Sequence, residues 1–229
     1  VYKRQGLMDS TSPSGEGVRL PEKQPDVPVF EIFTSQVNDT SLPVSGWPAT
    51  VCQKTANKMN LLTGFSPLIN ERSRVLILGS MPGVASLNKH QYYGHERNAF
   101  WPIMEELFAV GREHDYVTRC EELLQNRVAV WDVLKACQRP GSLDSSIQKG
   151  SEQINDFSSL FTNYSRIRAV FFNGGAAERL YHRHASGWGP DRIMAIQFYR
   201  LPSTSPAYAS MSFENKLKQW RRIADFLED

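Results

Sequence analysis

VLILGSMPGVASLNKHQYYGHERNAFW, residues 75–101, decides how the rest of the chain is read. Val75 to Leu78 form an unbroken apolar run, the pattern of a strand covered on both faces, and Gly79-Ser80-Met81-Pro82-Gly83 ends it abruptly. Open α/β sheets bind ligands outside the carboxyl ends of their strands, so this loop is the first candidate for a site. A loop over Ser86 to Arg97 is expected next, held between that strand end and a helix announced by Asn98, Phe100 and Trp101.

Downstream, Phe100, Trp101, Met104, Leu107 and Phe108 recur at helical spacing, which predicts a helix with an apolar stripe. A helix is predicted over Tyr116 to Gln125, then a strand over Val128 to Trp131 that Asp132 to Cys137 continues as far as the Pro140-Gly141 turn. Ser151 to Phe161 reads as a helix capped by Ser151. Arg168 to Phe172 is a strand, and Asn173-Gly174-Gly175 opens a helix with Ala176, Ala177, Leu180 and Tyr181. Met194 to Leu201 is the last strand, and Phe213 to Leu227 closes the chain as a helix. Alternating strands and helices imply a three-layer α/β/α sandwich around a mostly parallel sheet of about four strands. The loops GSMPG, FNGG and LPSTSPA then leave one sheet edge together and make one site.

With 229 residues, 41% hydrophobic and 11% aromatic, the chain can bury one sizeable core. Asp9 to Pro28 is rich in Ser, Pro, Gly and charge, so residues 1–60 are expected to be mainly disordered and residues 61–229 to form the domain. Val29 to Phe33 is a short strand or a docking motif. The folded part is expected to start between Leu61 and Ser73, with Gly64 to Leu68 packed beside the first strand. No apolar run approaches a membrane span, and the formal charge of +2 requires a local basic patch for any nucleic-acid partner. Cys52, Cys120 and Cys137 form no CxxC pair, cannot supply an ordinary iron-sulfur cluster, and read as free thiols of a reducing, intracellular compartment, nuclear or cytoplasmic in a eukaryote. The chain begins at Val1 rather than Met, so targeting is not read from that end.

GSMPG with YYGHERNAFW, then FFNGGAAE, then LPSTSPAYA, in this order, resembles the uracil-DNA glycosylase superfamily, and within it the hypoxanthine (deoxyinosine) DNA glycosylase group. The resemblance covers Leu61 to Asp229. It implies hydrolysis of the bond between a deaminated base and its deoxyribose in DNA, with the nucleotide flipped out of the helix and no metal or other cofactor. The base can be hypoxanthine, uracil or xanthine, and the enzyme is expected to act as a monomer. Where many members carry Asp or Asn in the first loop to hold the attacking water, this chain has Met81. Asn98 matches the asparagine implicated further along that loop in the hypoxanthine group; its plain reading is a helix cap.

By the same resemblance Gly79, Ser80, Met81 and Pro82 border the base, Tyr93 walls the pocket with Tyr92, and Phe100 is the ring on which the base stacks, unless it is simply core. Asn173 reads the base edge or caps the following helix. Ser203, Thr204 and Ser205, stiffened by Pro202 and Pro206, are expected to grip phosphate, and Tyr208 to fill the gap left by the base. His90, His95 and Arg97 are candidates for phosphate or a base anion, whereas Arg179, Arg183 and Arg200 read as a solvated face. Lys216, Lys218, Arg221 and Arg222 are placed on the polar side of the last helix. Two other classes are compatible with the residues: a damage-recognising module without catalysis, and a hydrolase using Ser80, Ser203 or Ser205, which the absence of GxSxG disfavours.

Overall fold

A computed structural model describes residues 61–184 and 195–228. The expectations for Asp9 to Pro28, Val29 to Phe33 and Cys52 lie outside the described residues. The strands are β1 (Leu61–Thr63), β2 (Val75–Gly79), β3 (Val128–Asp132), β4 (Leu134–Gln138), β5 (Gln153–Ile154), β6 (Ala169–Asn173) and β7 (Gln197–Leu201). The helices are α1 (Val84–Lys89), α2 (Phe100–Phe108), α3 (Tyr116–Gln125), α4 (Phe157–Asn163), α5 (Gly175–His184) and α6 (Phe213–Trp220).

The main sheet has the order β3-β2-β6-β7 and is parallel throughout. Every residue of β2 and β3 is buried, which requires cover on both faces; helices supply it, and the three-layer sandwich follows. The chain steps from β2 to β3 on one side and then returns to β6 on the other. The order therefore reverses between β2 and β6, and such a switch point leaves a crevice beyond the strand ends. Gly79 ends β2 opposite Asp132, and Asn173 ends β6 opposite Leu201, so four strand ends border that crevice.

Several elements differ from their sequence reading, each for a local reason. Asp132 to Cys137 does not simply prolong β3. The chain turns at Val133, and β4 joins a second, antiparallel sheet of order β1-β4-β5. Two amides just past β3 stay with the first loop, Val133 N–H donating to the Gly79 carbonyl at 2.8 Å and Leu134 N–H to that of Ser80 at 3.0 Å. The lead-in packs beside β3 rather than β2: Leu68 bridges to Val130, and the Trp131 indole donates to the Phe65 carbonyl. Ser151 does not cap a helix, because its hydroxyl accepts from Gln138 N–H and donates to the Gln148 carbonyl. β5 follows it, and α4 starts later with Asp156 accepting from Ser159 N–H. A short helix, α1, occupies part of the expected 86–97 loop. The final helix stops at Trp220 and continues as a 3-10 turn over Arg221–Phe226.

The predicted apolar face of α2 is seen: Phe100, Trp101, Ile103 and Met104 are buried. Trp220 seals the core from α6, fully buried, edge-on to Phe100 at 6.1 Å, with its indole donating to the Pro202 carbonyl. Truncating a buried tryptophan costs about 3–5 kcal/mol, so this residue ties the last loop firmly to the core. Cys120 and Cys137 are free thiols. Among the described residues no helix is long and apolar enough to cross a membrane.

Candidate active site

A cavity of about 290 Å³ opens at the switch point. Its walls come from the first loop (Gly79 to Gly83), the segment after α1 (Tyr92, Tyr93, His95, Asn98), Asn173 and Ser203 to Ala207. Of the residues singled out from sequence, Gly79, Ser80, Met81, Pro82, Tyr93, Asn98, Asn173, Ser203, Thr204, Ser205 and Pro206 all line it. Phe100 and Tyr208 do not.

Phe100 is fully buried, and the Tyr93 ring lies on it at 3.8 Å with 19° between the planes. The face expected to receive a base is thus already covered. Tyr93 is the ring presented to the cavity, held with a backbone φ of 54°, a left-handed conformation that costs a non-glycine residue energy. Its neighbour Tyr92 anchors the segment, donating from its hydroxyl to the Ser66 carbonyl and accepting from the Trp101 indole through its own carbonyl. Asn98 is part turn former and part site residue. Its Oδ1 accepts from Phe100 N–H at 2.9 Å, which leaves the NH2 group for the cavity it lines.

Asn173 does not cap α5, and its pairing with Thr204 leaves one amide N–H over in the cavity it lines. Its Oδ1 accepts from Thr204 N–H and its Nδ2 donates to the Thr204 hydroxyl, both at 2.8 Å. Thr204 is almost wholly buried and its carbonyl accepts from Ala99 N–H, so it joins three loops rather than reaching outward for phosphate. Ser203 and Ser205 differ: each hydroxyl oxygen accepts from the backbone amide two residues on, which leaves the hydroxyl hydrogen to donate. Gly174, with φ of +97°, lets the β6 loop and the last loop meet; a Cβ there would lie 2.8 Å from that of Ser203. Lys216 is not on a polar face. It is buried, its Nζ donates to the Tyr208 carbonyl at 2.8 Å, and it sits 5.2 Å from the centre of that ring.

Sequence reasoning passed over three charged residues of the site. Asp132, at the end of β3, is 5% exposed and lines the cavity; its Oδ2 has no partner, and neither has the Tyr93 hydroxyl. Burial, aided by the nearby Asp144 and opposed by Arg139, pushes the Asp132 carboxyl up to about 7. Asp144 also lines the cavity, accepts from the Ser80 hydroxyl at 2.7 Å and is itself raised by burial. The Arg139 side chain is wholly buried: it donates to the carbonyls of Gly141, Met81 and Pro82 and lies 3.6 Å from Asp144. The available signal was a carboxylate closing the apolar run VAVWD, since a charge at the end of a buried strand needs a reason.

A profile of the uracil DNA glycosylase superfamily matches residues 66–227, which span the end of the lead-in from Ser66, all four parallel strands and every loop of the cavity. The chain belongs to the uracil DNA glycosylase superfamily. It is a DNA glycosylase, and its substrate is DNA. Two relatives from Methanosarcina are each named hypoxanthine DNA glycosylase. That of Methanosarcina acetivorans is 37% identical over 164 residues, 70% of this chain and 96% of its own. That of Methanosarcina barkeri is 42% identical over 112 residues, 48% of this chain and 70% of its own. A solution NMR structure of a candidate uracil DNA glycosylase from Methanosarcina acetivorans superposes with a TM-score of 0.62 at 33% identity, covering 74% of this chain and 100% of that one. Among the described residues neither Ser80, Ser203 nor Ser205 bonds a histidine: Ser80 donates to Asp144, and Ser203 and Ser205 accept from backbone amides.

Gly79 gives a direct test of how closely the floor is packed. A Cβ at this position would lie 2.2 Å from Asp132 Oδ1. Gly79→Ala is therefore expected to displace the carboxylate and cut single-turnover excision by about 100-fold, with a loss of stability of only about 1–3 kcal/mol. An excision rate close to native would show that the floor relaxes without consequence.

Proposed function

We propose that this glycosylase removes hypoxanthine from DNA, with uracil and xanthine as related substrates, and so initiates base excision repair. The single observation that carries the reading is the switch-point cavity whose floor holds two buried polar groups without partners, Asp132 Oδ2 and the Tyr93 hydroxyl. Leaving such groups unmatched costs each about 1–3 kcal/mol, a cost that a base with polar edges entering the cavity offsets. The names of the two relatives give hypoxanthine precedence among deaminated bases.

The target nucleotide leaves the duplex and its base enters between Tyr93 and the first loop. The Asn98 NH2 faces the cavity and holds the attacking water or the base. Ser203 and Ser205 donate their free hydroxyl hydrogens to the phosphates beside the flipped sugar. Tyr208, 39% exposed just beyond the cavity wall and fixed from behind by Lys216, enters the stack where the base was. The protein acts as a monomer and needs no cofactor.

The test is excision from labelled duplexes carrying one inosine, uracil or xanthine, followed by alkali. Cleavage at inosine faster than at the other two is the expected result. Cleavage at uracil alone would overturn the preference, and no cleavage at any base would favour a damage-binding module.

A further inference from the structure

We propose that Asp132 enters the reaction as a neutral carboxylic acid and gives its proton to the departing base. This rests on the glycosylase reading above and assigns a task to a residue that the first loop cannot perform, since Met81 carries no titratable group.

The geometry is that of a site waiting for a ligand. Asp132 ends β3 opposite Gly79, with Oδ2 buried and unpartnered. A carboxylate in that position would be an uncompensated buried charge, so the group stays protonated until something basic arrives. Among the described residues the cations of this region are directed to Asp144: Arg139 lies 3.6 Å from it, and Arg179 of α5 also acts on it. From the loop after β4, Arg139 is committed to three backbone carbonyls and to Asp144, and Asp144 adds a like charge. From the segment after α1 come Tyr92 and Tyr93, both pushed far above the ordinary phenol range by burial, and His95, which lines the same cavity. From β2 and β6 the neighbours are Gly79, Ser80 and Asn173, none of which titrates. Asp132, buried with an unpartnered oxygen, is thus an acid of the floor that changes state at about 7. The Tyr93 hydroxyl, also buried and unpartnered, remains a donor throughout and fixes the base edge.

The step balances without an added reagent. The bond between C1′ and the base nitrogen breaks with its electron pair going to the base, the base takes the Asp132 proton, and it leaves uncharged. Water adds its oxygen to C1′ and releases one proton, which restores the Asp132 acid. One water is consumed, and an abasic deoxyribose and a free base are formed.

Single-turnover excision of inosine by the native protein and by Asp132→Asn, from about pH 5.5 to about pH 8.5, tests this. The native rate is expected to fall as pH rises through about 7, because the acid form is the working one. Asp132→Asn keeps the shape and the neutral state but has no proton to give; it is expected to be slower by about 100-fold at pH 6 and flat across neutrality. Asp144→Asn removes the like charge and is expected to move the falling limb to lower pH. A second readout uses the native protein alone, comparing uracil with fluorouracil, whose anion leaves more readily: proton donation makes the gain small. Asp132→Asn within about threefold of native with the same limb overturns the inference and leaves the glycosylase reading standing. Should that variant not fold, a flat native profile with a large gain for fluorouracil overturns it equally. A native protein inert on every base overturns the glycosylase reading and this inference with it.

Discussion

Asn98→Ala is expected to reduce single-turnover excision of inosine by about 100- to 1,000-fold while leaving the protein folded. The two effects separate because the side chain has two uses. Its Oδ1 accepts from Phe100 N–H at the start of α2, a turn-type contact whose loss costs about 1 kcal/mol. Its NH2 has the cavity in front of it, where a fixed donor aimed at developing charge or at the attacking water acts without reorganising. Asn98→Asp discriminates between the two ends of the amide. The aspartate keeps the acceptor for Phe100 N–H but loses the donors, so it is expected to fail almost as badly as alanine. An aspartate variant at native rate would show that the oxygen, not the NH2 group, is the working atom. Denaturant unfolding of both variants alongside the rates keeps a folding defect from being mistaken for a catalytic one.

Arg139→Met is expected to destabilise the protein by about 3–5 kcal/mol and, with it, to abolish excision. The side chain is wholly buried, and its guanidinium fans out to the carbonyls of Gly141, Met81 and Pro82 and to Asp144. A methionine fills the space yet leaves those carbonyls and the Asp144 carboxyl without a donor, and unmatched buried acceptors carry their full desolvation cost. Arg139→Lys is expected to rescue little, because an ammonium cannot fork to three carbonyls lying in different directions. The midpoint of urea unfolding measures the first effect. A shift equivalent to less than about 1 kcal/mol would mean that water replaces the guanidinium and that the first loop holds its own shape.

The chemistry of the site was legible in the sequence where it follows local rules. The run VLIL stopped by GSMPG and the run RAVFF stopped by Asn173-Gly174 each show a buried strand ending in a tight turn, and both loops line the cavity. The apolar spacing from Phe100 to Phe108 marked α2 in the same way. Phe100 shows the limit of that reading. Helical periodicity places it on the core side, but only the fold of the preceding segment lays Tyr93 across its face and transfers the exposed ring to Tyr93. Lys216 fails for a similar reason: the charge pattern of α6 reads as solvated, whereas the last loop folds over the amine and offers it the Tyr208 carbonyl.

The strand ends, the glycines and the order of three loops are written locally, because they depend on backbone sterics and on periodicities within a few residues. Tertiary structure decided which side chains meet. Asp132 joins the floor because β3 pairs beside β2 in a register that sets it opposite Gly79, a relation across 53 residues of chain that no local pattern records. Arg139 and Asp144 reach the first loop because β4 leaves the main sheet and runs into a second one. Long-range pairing creates those contacts, and it is only inside the closed core, with water excluded, that an aspartate at the end of a strand becomes an acid near neutral pH.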